Sequence, residues 1–297
     1  MAVGPIVAEG LTIIAGTAVQ GGGQAVPVEG GYRVNGHWSF GSGCQESNWM
    51  LGSFQILDDG QPRRRPDGGT YWRGVFLRTE AEIVPGSWDV AGLRGTGSFD
   101  WTVKDIFLPE RRTMIHAGAP LDNQWSRWPG ITYALPAQAW VSPHHSAVIT
   151  GIARAGIDAL IQLAVEKTPR GRPAALLCEN PQVQDAVGRA DAILNAGRVY
   201  RSAMIADLWD TVAAGKETTL EQRARCRLAA VHAADCARQA MDLVCRLGGS
   251  TSFKRDSRLA ECWRDLHVVG QTVTVGPEWY PIGGRVYLGM DPGSRMR

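Results

Sequence analysis

Short apolar runs separated by Gly, Pro and Asp fill the chain up to residue 117. Within each run, apolar and polar positions partly alternate, which is the pattern of strands with one buried face. The runs are GLTIIAG, GYRVNGHWSF, NWMLGSFQIL, TYWRGVFLR, AEIVPGSWDV and DWTVKDIFLP. Because many short strands bounded by turn residues are typical of sandwiches and barrels, we predict an antiparallel β-sandwich or barrel over residues 1–117.

Helical spacing of apolar residues replaces this pattern after a stretch rich in Pro and Trp, residues 118–142. We predict four amphipathic helices: His145–Lys167, Pro181–Ala214, Leu220–Leu247 and about Ser257–Val275. Stop signals support two of these ends, since Thr168-Pro169 follows the first helix and Gly248-Gly249 follows the third. The sequence therefore predicts an α+β protein with a β-domain over 1–117, a linker over 118–142 and a C-terminal four-helix bundle over 143–297.

Charge and hydrophobicity exclude several classes of protein. The 297 residues carry 31 Lys+Arg and 29 Asp+Glu, a formal net charge of +2. Such a balance offers no basic field for nucleic acid and no polybasic arm for a membrane surface. No continuous apolar run reaches the roughly 18 residues of a membrane span. The first residues lack the basic start of a signal peptide, so we expect a cytoplasmic protein.

Cysteines and histidines do not form a metal-binding pattern. The six cysteines include no CxxC pair, and we expect them to be reduced and mostly buried. The adjacent His144 and His145 would diverge by about 100° on a helix and could not chelate one ion. The chain also lacks the phosphate-binding GxGxxG and Walker motifs, the HExxH metal motif and the GxSxG nucleophile motif. We therefore expect no metal, and common hydrolase chemistry is unsupported.

Three segments resemble one enzyme superfamily. Val28–Cys44 (VEGGYRVNGHWSFGSGC) resembles a strand and turn of the form GYR(V/L)xGxWxFxSGC. Trp88–Ser98 (WDVAGLRGTGS) followed by Val103–Pro109 (VKDIFLP) resembles the end of the same β-domain. Leu247–Ser250 and Leu259–His267 (LAECWRDLH) resemble a C-terminal helical stretch. In this order the segments are similar to the acyl-CoA dehydrogenase superfamily, and within it to the oxygenase components of two-component flavin-dependent monooxygenases.

The resemblance implies a function as well as a fold. Enzymes of this branch hydroxylate an aromatic or polycyclic phenol through a C4a-hydroperoxyflavin, with O2 as co-substrate. It implies a small aromatic substrate and reduced flavin, FMNH2 or FADH2, supplied by a separate flavin reductase. It also implies a homo-oligomer, since closed tetramers are usual in the superfamily.

Four residues of the β-domain are candidates for binding the flavin. By its position after the WxF motif, Ser42 matches the family's hydrogen-bond partner of flavin N5; the alternative is an ordinary turn serine. Trp38 would line the flavin, or equally be a tryptophan of the sheet core. Arg94 and Thr96 could bind ribityl or phosphate oxygens, while a structural salt bridge at a strand end is the alternative for Arg94.

Other candidates lie in the helical part. His267, three residues after Arg264, matches a family histidine that takes the phenolic proton or contacts the peroxide. Arg264 and Asp265 are expected to pair with each other and stabilise the helix. Arg170 and Arg172 flank a glycine where the superfamily often binds flavin phosphates across a subunit interface.

Two alternative functions remain open. An acyl-CoA dehydrogenase would carry tightly bound FAD and use a carboxylate base, but the stretch after His267 has no Asp or Glu until Glu278. The second alternative is a truncated, non-catalytic assembly subunit. Superfamily members begin with a helical domain, whereas this sequence opens almost directly on the predicted β-domain, so a fragment is an expectation of equal standing.

Overall fold

The computed structural model describes residues 12–17, 21–65, 68–115, 130–136, 139–169, 175–293 and 296. These residues form two compact units. The first, called the β unit here, lies within Met1–Val90 and Arg94–Pro120. The second, called the helical unit, lies within Ala91–Leu93 and Leu121–Arg297.

A mixed sheet makes up the β unit. Its strands among the described residues are β1 (Ile14–Gly16), β2 (Gly23–Val28), β3 (Gly31–Trp38), β4 (Trp49–Asp58), β5 (Gln61–Pro62), β6 (Tyr71–Leu77), β7 (Glu82–Ile83), β8 (Trp101–Pro109) and β9 (Thr113–Ile115). The strand order is β7-β8-β3-β2-β4-β6-β9, with β1 and β5 also paired to β4. Most pairs are antiparallel as predicted, but β1–β4 and β2–β4 are parallel. The α+β class is confirmed.

Aromatic side chains fill the core of the β unit. Trp38 and Trp101 stack with ring centroids 4.2 Å apart, and Phe76 packs against both rings. The stack leaves no room for a side chain at the facing position of β4. A Cβ on Gly52 would lie 2.7 Å from the Trp38 ring and 2.9 Å from the Trp101 ring. Two large flat rings are therefore accommodated because β4 carries glycine where they cross it.

Helices make up the second unit. They are α1 (Ile131–Ala134), α2 (Val141–Glu166), α3 (Pro181–Ala213), α4 (Leu220–Leu247), α5 (Arg258–Val269) and α6 (Trp279–Tyr287). Four of them, α2 to α5, correspond to the four predicted helices. N-caps explain where two helices start. Before α3, the Asn180 side chain accepts a hydrogen bond from the backbone N–H of Gln182. Before α4, Thr219 forms a capping box with Gln222.

Small residues let the long helices approach closely. On α3, a Cβ at Gly197 would lie 3.0 Å from Cα of Ala233 on α4. On α2, a Cβ at Gly156 would lie 2.4 Å from Sδ of Met241, also on α4. The core between these helices is apolar and fully buried, with Leu160 among its largest side chains. Helix α4 therefore occupies the centre of the bundle.

Helix α2 is long and apolar enough, by length and composition alone, to cross a membrane. Its mean hydropathy reaches 1.6 over the most apolar window. Polar residues interrupt this helix, so the sequence contains no unbroken apolar run of that length. In the helical unit, Ile149, Ile157 and Leu160 of α2 are fully buried against neighbouring helices. A helix buried in a protein core can be as long and as apolar as a membrane-spanning helix.

All six cysteines are free thiols, as expected. Burial raises the pKa of five of them: Cys44, Cys226, Cys236, Cys245 and Cys262. The effect is greatest at Cys226, whose pKa rises to about 11. These thiols are therefore protonated at neutral pH.

Candidate functional site

Three hydroxyl groups form a hydrogen-bonded row in the β unit. Oγ of Ser42 lies 2.7 Å from Oγ of Ser98, and Oγ of Ser98 lies 2.7 Å from Oγ1 of Thr96. Ser98 is only 4% exposed, whereas Ser42 is exposed. Each hydroxyl can both donate and accept. This hydroxyl row therefore orients the Ser42 oxygen from the interior while leaving it accessible.

Backbone hydrogen bonds fix the turn that carries Ser42. The Gly41 amide donates to the Phe99 carbonyl at 3.0 Å, and the Gly43 amide donates to the Thr96 carbonyl at 2.9 Å. A Cβ on Gly41 would lie 2.9 Å from that Phe99 oxygen, and Gly43 has φ +74°. Both positions therefore require glycine, which explains the Gly-Ser-Gly sequence at this turn.

An exposed aromatic pair lies on the same turn. Phe40 has φ +64° and is 60% exposed. Its ring meets that of Trp88 edge to face, with centroids 6.1 Å apart and planes at 80°. A left-handed backbone conformation costs a bulky residue roughly 1–3 kcal/mol. No role for Phe40 was expected from the sequence.

Trp38 lies in the core of the β unit. It is 2% exposed, and its Nε1–H donates to the Ser53 carbonyl at 2.7 Å. Its ring is enclosed by Trp101 and Phe76. This placement fits the alternative given above, a tryptophan of the sheet core, since the side chain has almost no surface left for a ligand.

Arg94 and Thr96 share one short 3-10 turn, Arg94–Thr96. Arg94 is exposed, and within the described part of the chain no carboxylate pairs with its guanidinium. The alternative of a structural salt bridge is therefore not seen there. Arg170 and Arg172 lie outside the described residues, and their assignment stays a prediction.

His267 lies on α5 in the helical unit and contacts groups through both ring nitrogens. Its Nδ1 lies 2.8 Å from the Trp263 carbonyl oxygen, one helical turn earlier. A carbonyl can only accept, so Nδ1 carries the proton and Nε2 has the lone pair of the neutral ring. Nε2 lies 3.6 Å from Oδ1 of Asp242 on α4.

Asp242 and Trp263 complete this arrangement. The same Oδ1 of Asp242 accepts from Trp263 Nε1–H at 3.3 Å, and the Trp263 and His267 rings lie 4.2 Å apart. His267 is therefore oriented by a ring, a carbonyl and a carboxylate. A neutral Nε2 can accept a proton, and the imidazolium formed would lie beside the Asp242 carboxylate.

The expected pairing of Arg264 with Asp265 is wrong. Consecutive residues on a helix diverge by about 100° and cannot face one another. Arg264 instead donates to the Arg255 carbonyl at 3.2 Å. Asp265 accepts from the backbone amide of Leu93 at 2.6 Å, which ties the segment Ala91–Leu93 to α5.

Three residues beside the predicted site residues were not expected from the sequence, two in the β unit and one in the helical unit. Ser98 stood in the GTGS motif but was given no role, although it links Ser42 to Thr96. Asp242 has no sequence signal, because its contact with His267 depends on how α4 and α5 pack. Phe40 stood in the WxF motif, but only its backbone conformation sets it apart. Among the described residues, no three His, Cys, Asp or Glu side chains converge as a metal site would require.

Comparison with known proteins gives one matching family model and several relatives. The model for the acyl-CoA dehydrogenase C-terminal domain matches residues 144–275. A pigment production hydroxylase of Rhodococcus erythropolis is 33% identical over 282 residues, covering 93% of this chain and 70% of the relative. An indole-3-acetate monooxygenase of Pseudomonas putida is 32% identical, covering 89% of this chain and 64% of the relative.

A solved structure adds a third comparison. HsaA of Mycobacterium tuberculosis, the oxygenase subunit of a flavin-dependent monooxygenase, is 29% identical over 285 residues, covering 92% of this chain and 68% of the relative. Its crystal structure superposes with a TM-score of 0.81, covering 96% of this chain and 72% of that one. The chain thus spans about two thirds of the length of the curated relatives it matches.

Proposed function

We propose, since the chain belongs to the flavin-dependent monooxygenases of the acyl-CoA dehydrogenase superfamily, that it hydroxylates an aromatic, phenol-type compound. The family expected from the three sequence segments is confirmed. These enzymes are oxidoreductases, and their cofactor is reduced flavin. When bound, reduced flavin would supply two electrons to O2, so that one oxygen atom enters the substrate and the other leaves as water.

The hydroxyl row is the observation that carries this proposal. Reduced flavin presents an N–H group at N5, which needs a hydrogen-bond acceptor. Ser42 offers an exposed oxygen whose orientation is fixed by Ser98 and, through it, by Thr96. The nearby Arg94 guanidinium and the backbone amides of its turn suit the ribityl or phosphate oxygens of a flavin. The donors and acceptors of the β unit therefore fit the cofactor.

In the helical unit, His267 is the proposed proton acceptor. Phenol hydroxylation is favoured when the phenolic proton is removed, because the phenolate ring is more electron-rich. The Trp263 carbonyl holds the proton of the neutral imidazole on Nδ1, so Nε2 is the basic atom. The Asp242 carboxylate, 3.6 Å from Nε2, would stabilise the imidazolium formed after proton uptake.

A separate reductase supplies the reduced flavin in two-component systems of this kind, and we propose such a partner for this chain. We also propose a homo-oligomer, a tetramer by family resemblance. Large apolar side chains are exposed on the helical unit, and such surfaces are typical of subunit interfaces. They include Val148, Val165, Val199, Trp209 and Leu288.

Rapid mixing with chemically reduced FMN or FAD in oxygenated buffer tests the proposal. With indole-3-acetate and simple phenols as probes, we expect delayed return of the oxidised flavin spectrum and a hydroxylated product. Reoxidation as fast as in free solution, with hydrogen peroxide as the sole product, would contradict it. Protein that purifies with tightly bound FAD and is reduced by an acyl-CoA thioester would favour the dehydrogenase alternative.

A further inference from the structure

Arg227 of α4 is a buried cation in the helical unit. It is 7% exposed, and burial lowers the pKa of its guanidinium to about 10, so the group stays protonated at neutral pH. Within the described ranges no carboxylate forms an ion pair with it. A charge that is removed from water without a counter-ion is destabilising. The positive charge of Arg227 is therefore uncompensated among the described residues.

The neighbours of Arg227 occupy one face and one nitrogen of its guanidinium. Cζ lies 3.8 Å from the centre of the Trp279 ring, so the indole covers one face. Nη1 donates to Oγ of Ser142 and, at 3.3 Å, to the carbonyl oxygen of Thr274. Nε is buried and has no acceptor in the part of the chain that the structure describes, and none is found there for Nη2. Two of the three nitrogens therefore keep unused N–H donors.

The Nε–Nη2 edge of a guanidinium is a side on which a carboxylate binds through two parallel hydrogen bonds. Arg63 shows this geometry in the same protein, since its Nε and Nη2 donate to the two carboxylate oxygens of Asp58 at 2.8 and 2.7 Å. At Arg227 the contacts with Trp279 and Thr274 hold the guanidinium in place. Its Nε–Nη2 edge is therefore preorganised for a ligand with two acceptor oxygens.

The start of α2 adds to the positive potential at Arg227. Ser142, which accepts from Arg227, is the second residue of this 26-residue helix, and the N-cap residue Trp140 makes no side-chain cap. The first backbone N–H groups of a helix have no acceptor within it, and this end carries a partial positive charge. A guanidinium and a helix N-terminus at the same place therefore both attract an anion.

We propose that Arg227 forms an anion site in the helical unit, which binds a small organic acid through its carboxylate. The two carboxylate oxygens would accept from Nε and Nη2, and the start of α2 would add electrostatic attraction. Arg227 suits a carboxylate better than a spherical anion because its two donors are parallel and coplanar. The proposal goes beyond the hydroxylation proposed above and does not depend on it.

Calorimetric titration with benzoate, acetate and benzamide tests the anion site. Benzoate and acetate share the carboxylate, whereas benzamide keeps the ring and the size of benzoate without its charge. We expect saturable binding of both acids and a dissociation constant at least about tenfold higher for benzamide. Tighter binding of benzoate than of acetate would identify an aromatic acid as the ligand, and equal binding would identify any small carboxylate.

Substitutions at Arg227 and one control locate the bound acid. Arg227→Met removes the charge at similar volume and should raise the dissociation constant of benzoate at least about tenfold. Arg227→Lys keeps the charge but loses the paired donors, so its effect should be intermediate. The control is Arg154→Met, because this half-buried arginine already pairs with the carboxylates of Asp158 and Asp191. It should bind benzoate within about twofold of wild type.

The wild-type protein provides a second readout that requires no variant to fold. Its Arg227 Nε–H proton resonance should shift downfield when benzoate is added, because the donor gains a charged acceptor. Three results would each overturn the anion site: no saturable binding of either acid by wild-type protein, equal binding of benzamide, or unchanged binding in Arg227→Met. The proposed function fails separately, since wild-type protein that binds benzoate but hydroxylates no phenol would contradict only the monooxygenase.

Discussion

The backbone amide of Leu93 donates a 2.6 Å hydrogen bond to the carboxylate of Asp265, although the two residues are 172 positions apart. The backbone next to Leu93 and the backbone next to Asp265 approach each other closely. Leu93 has φ +54°, and a Cβ on the adjacent Gly92 would lie 2.5 Å from the Arg264 carbonyl oxygen. Asp265 is thus an attachment point for the segment Ala91–Leu93 within the helical unit.

Replacing Asp265 with alanine should lower the free energy of unfolding by about 1–3 kcal/mol, because the Leu93 amide loses a charged acceptor. Asp265→Asn should cost less, since the amide oxygen still accepts. Urea denaturation measures both. The control is Asp185→Ala, which removes an exposed ion pair with Arg189 and should cost less than about 1 kcal/mol. Equal effects at the two positions would contradict this role of Asp265.

Removing the Ser42 hydroxyl should uncouple flavin oxidation from hydroxylation. Ser42→Ala should lower product per flavin oxidised and raise hydrogen peroxide correspondingly. Ser98→Ala should give a smaller effect in the same direction, because Ser42 keeps its hydroxyl but loses the partner that orients it. Ser39→Ala, at an exposed serine just before this turn, is the matched control. Unchanged coupling in Ser42→Ala would exclude the proposed contact with the flavin.

Loss of the His267 imidazole should slow hydroxylation of a phenol by about 100-fold, the lower range for general base catalysis. Asp242→Asn should reduce the rate less, because the base remains and only the carboxylate beside it is lost. Single-turnover kinetics with reduced flavin measure the step. Asp210→Asn, at an exposed aspartate on α3, should be indistinguishable from wild type. A normal rate in His267→Ala would remove its assignment as the base.

The tryptophan stack should not tolerate a methyl group at Gly52. Gly52→Ala places a Cβ 2.7 Å from the Trp38 ring, so we expect a loss of about 1–3 kcal/mol in the free energy of unfolding. At Gly95 no atom lies within 4 Å of the added Cβ, and Gly95→Ala should be close to neutral. Chemical denaturation compares the two variants; similar losses would show that the crowding is relieved without cost.

Burial of Cys226 should make the protein less stable in alkali. Its pKa rises from an ordinary 9.0 to about 11, so the folded state favours the protonated thiol. The resulting stabilisation is complete below pH 9 and is lost as the pH rises towards 11. Between pH 8 and pH 10 the loss should be about 1 kcal/mol. Urea denaturation of Cys226→Ala should show a shallower decline than wild type; parallel curves would refute the assignment.

Local patterns in the sequence predicted the long helices well and the site only in part. Helices α3 and α4 begin at caps and have regular apolar spacing, so their bounds agree with prediction to within one residue. Helix α6 was missed because Pro281, Gly283 and Gly284 are poor helix formers. It forms nonetheless where Gly283 packs against Leu228 of α4, and a Cβ there would lie 2.7 Å from that side chain. Tertiary packing overrides propensity at this position.

At the candidate site, too, local patterns identify single residues, whereas their contacts depend on tertiary structure. Ser42 and Thr96 could each be proposed from a motif, but their connection depends on a backbone hydrogen bond between Gly43 and Thr96. Such a contact between two distant turns has no periodic signal in the chain. From its motif, Trp38 could be assigned either to the core or to the flavin. The structure buries its side chain in the sheet core, and its assignment to the flavin stays a prediction.

Protonated thiols have a consequence for a protein that handles oxygen. Hydrogen peroxide is released whenever oxygen transfer fails, and it oxidises thiolates far faster than thiols. Burial raises the pKa of five of the six cysteines, so these thiols form less thiolate than exposed thiols and should react more slowly with peroxide. Among the methionines, oxidation should begin at exposed side chains such as Met114 and Met290, each 47% exposed. The amount of methionine sulfoxide at these two sites should then increase with the number of turnovers that release hydrogen peroxide instead of product.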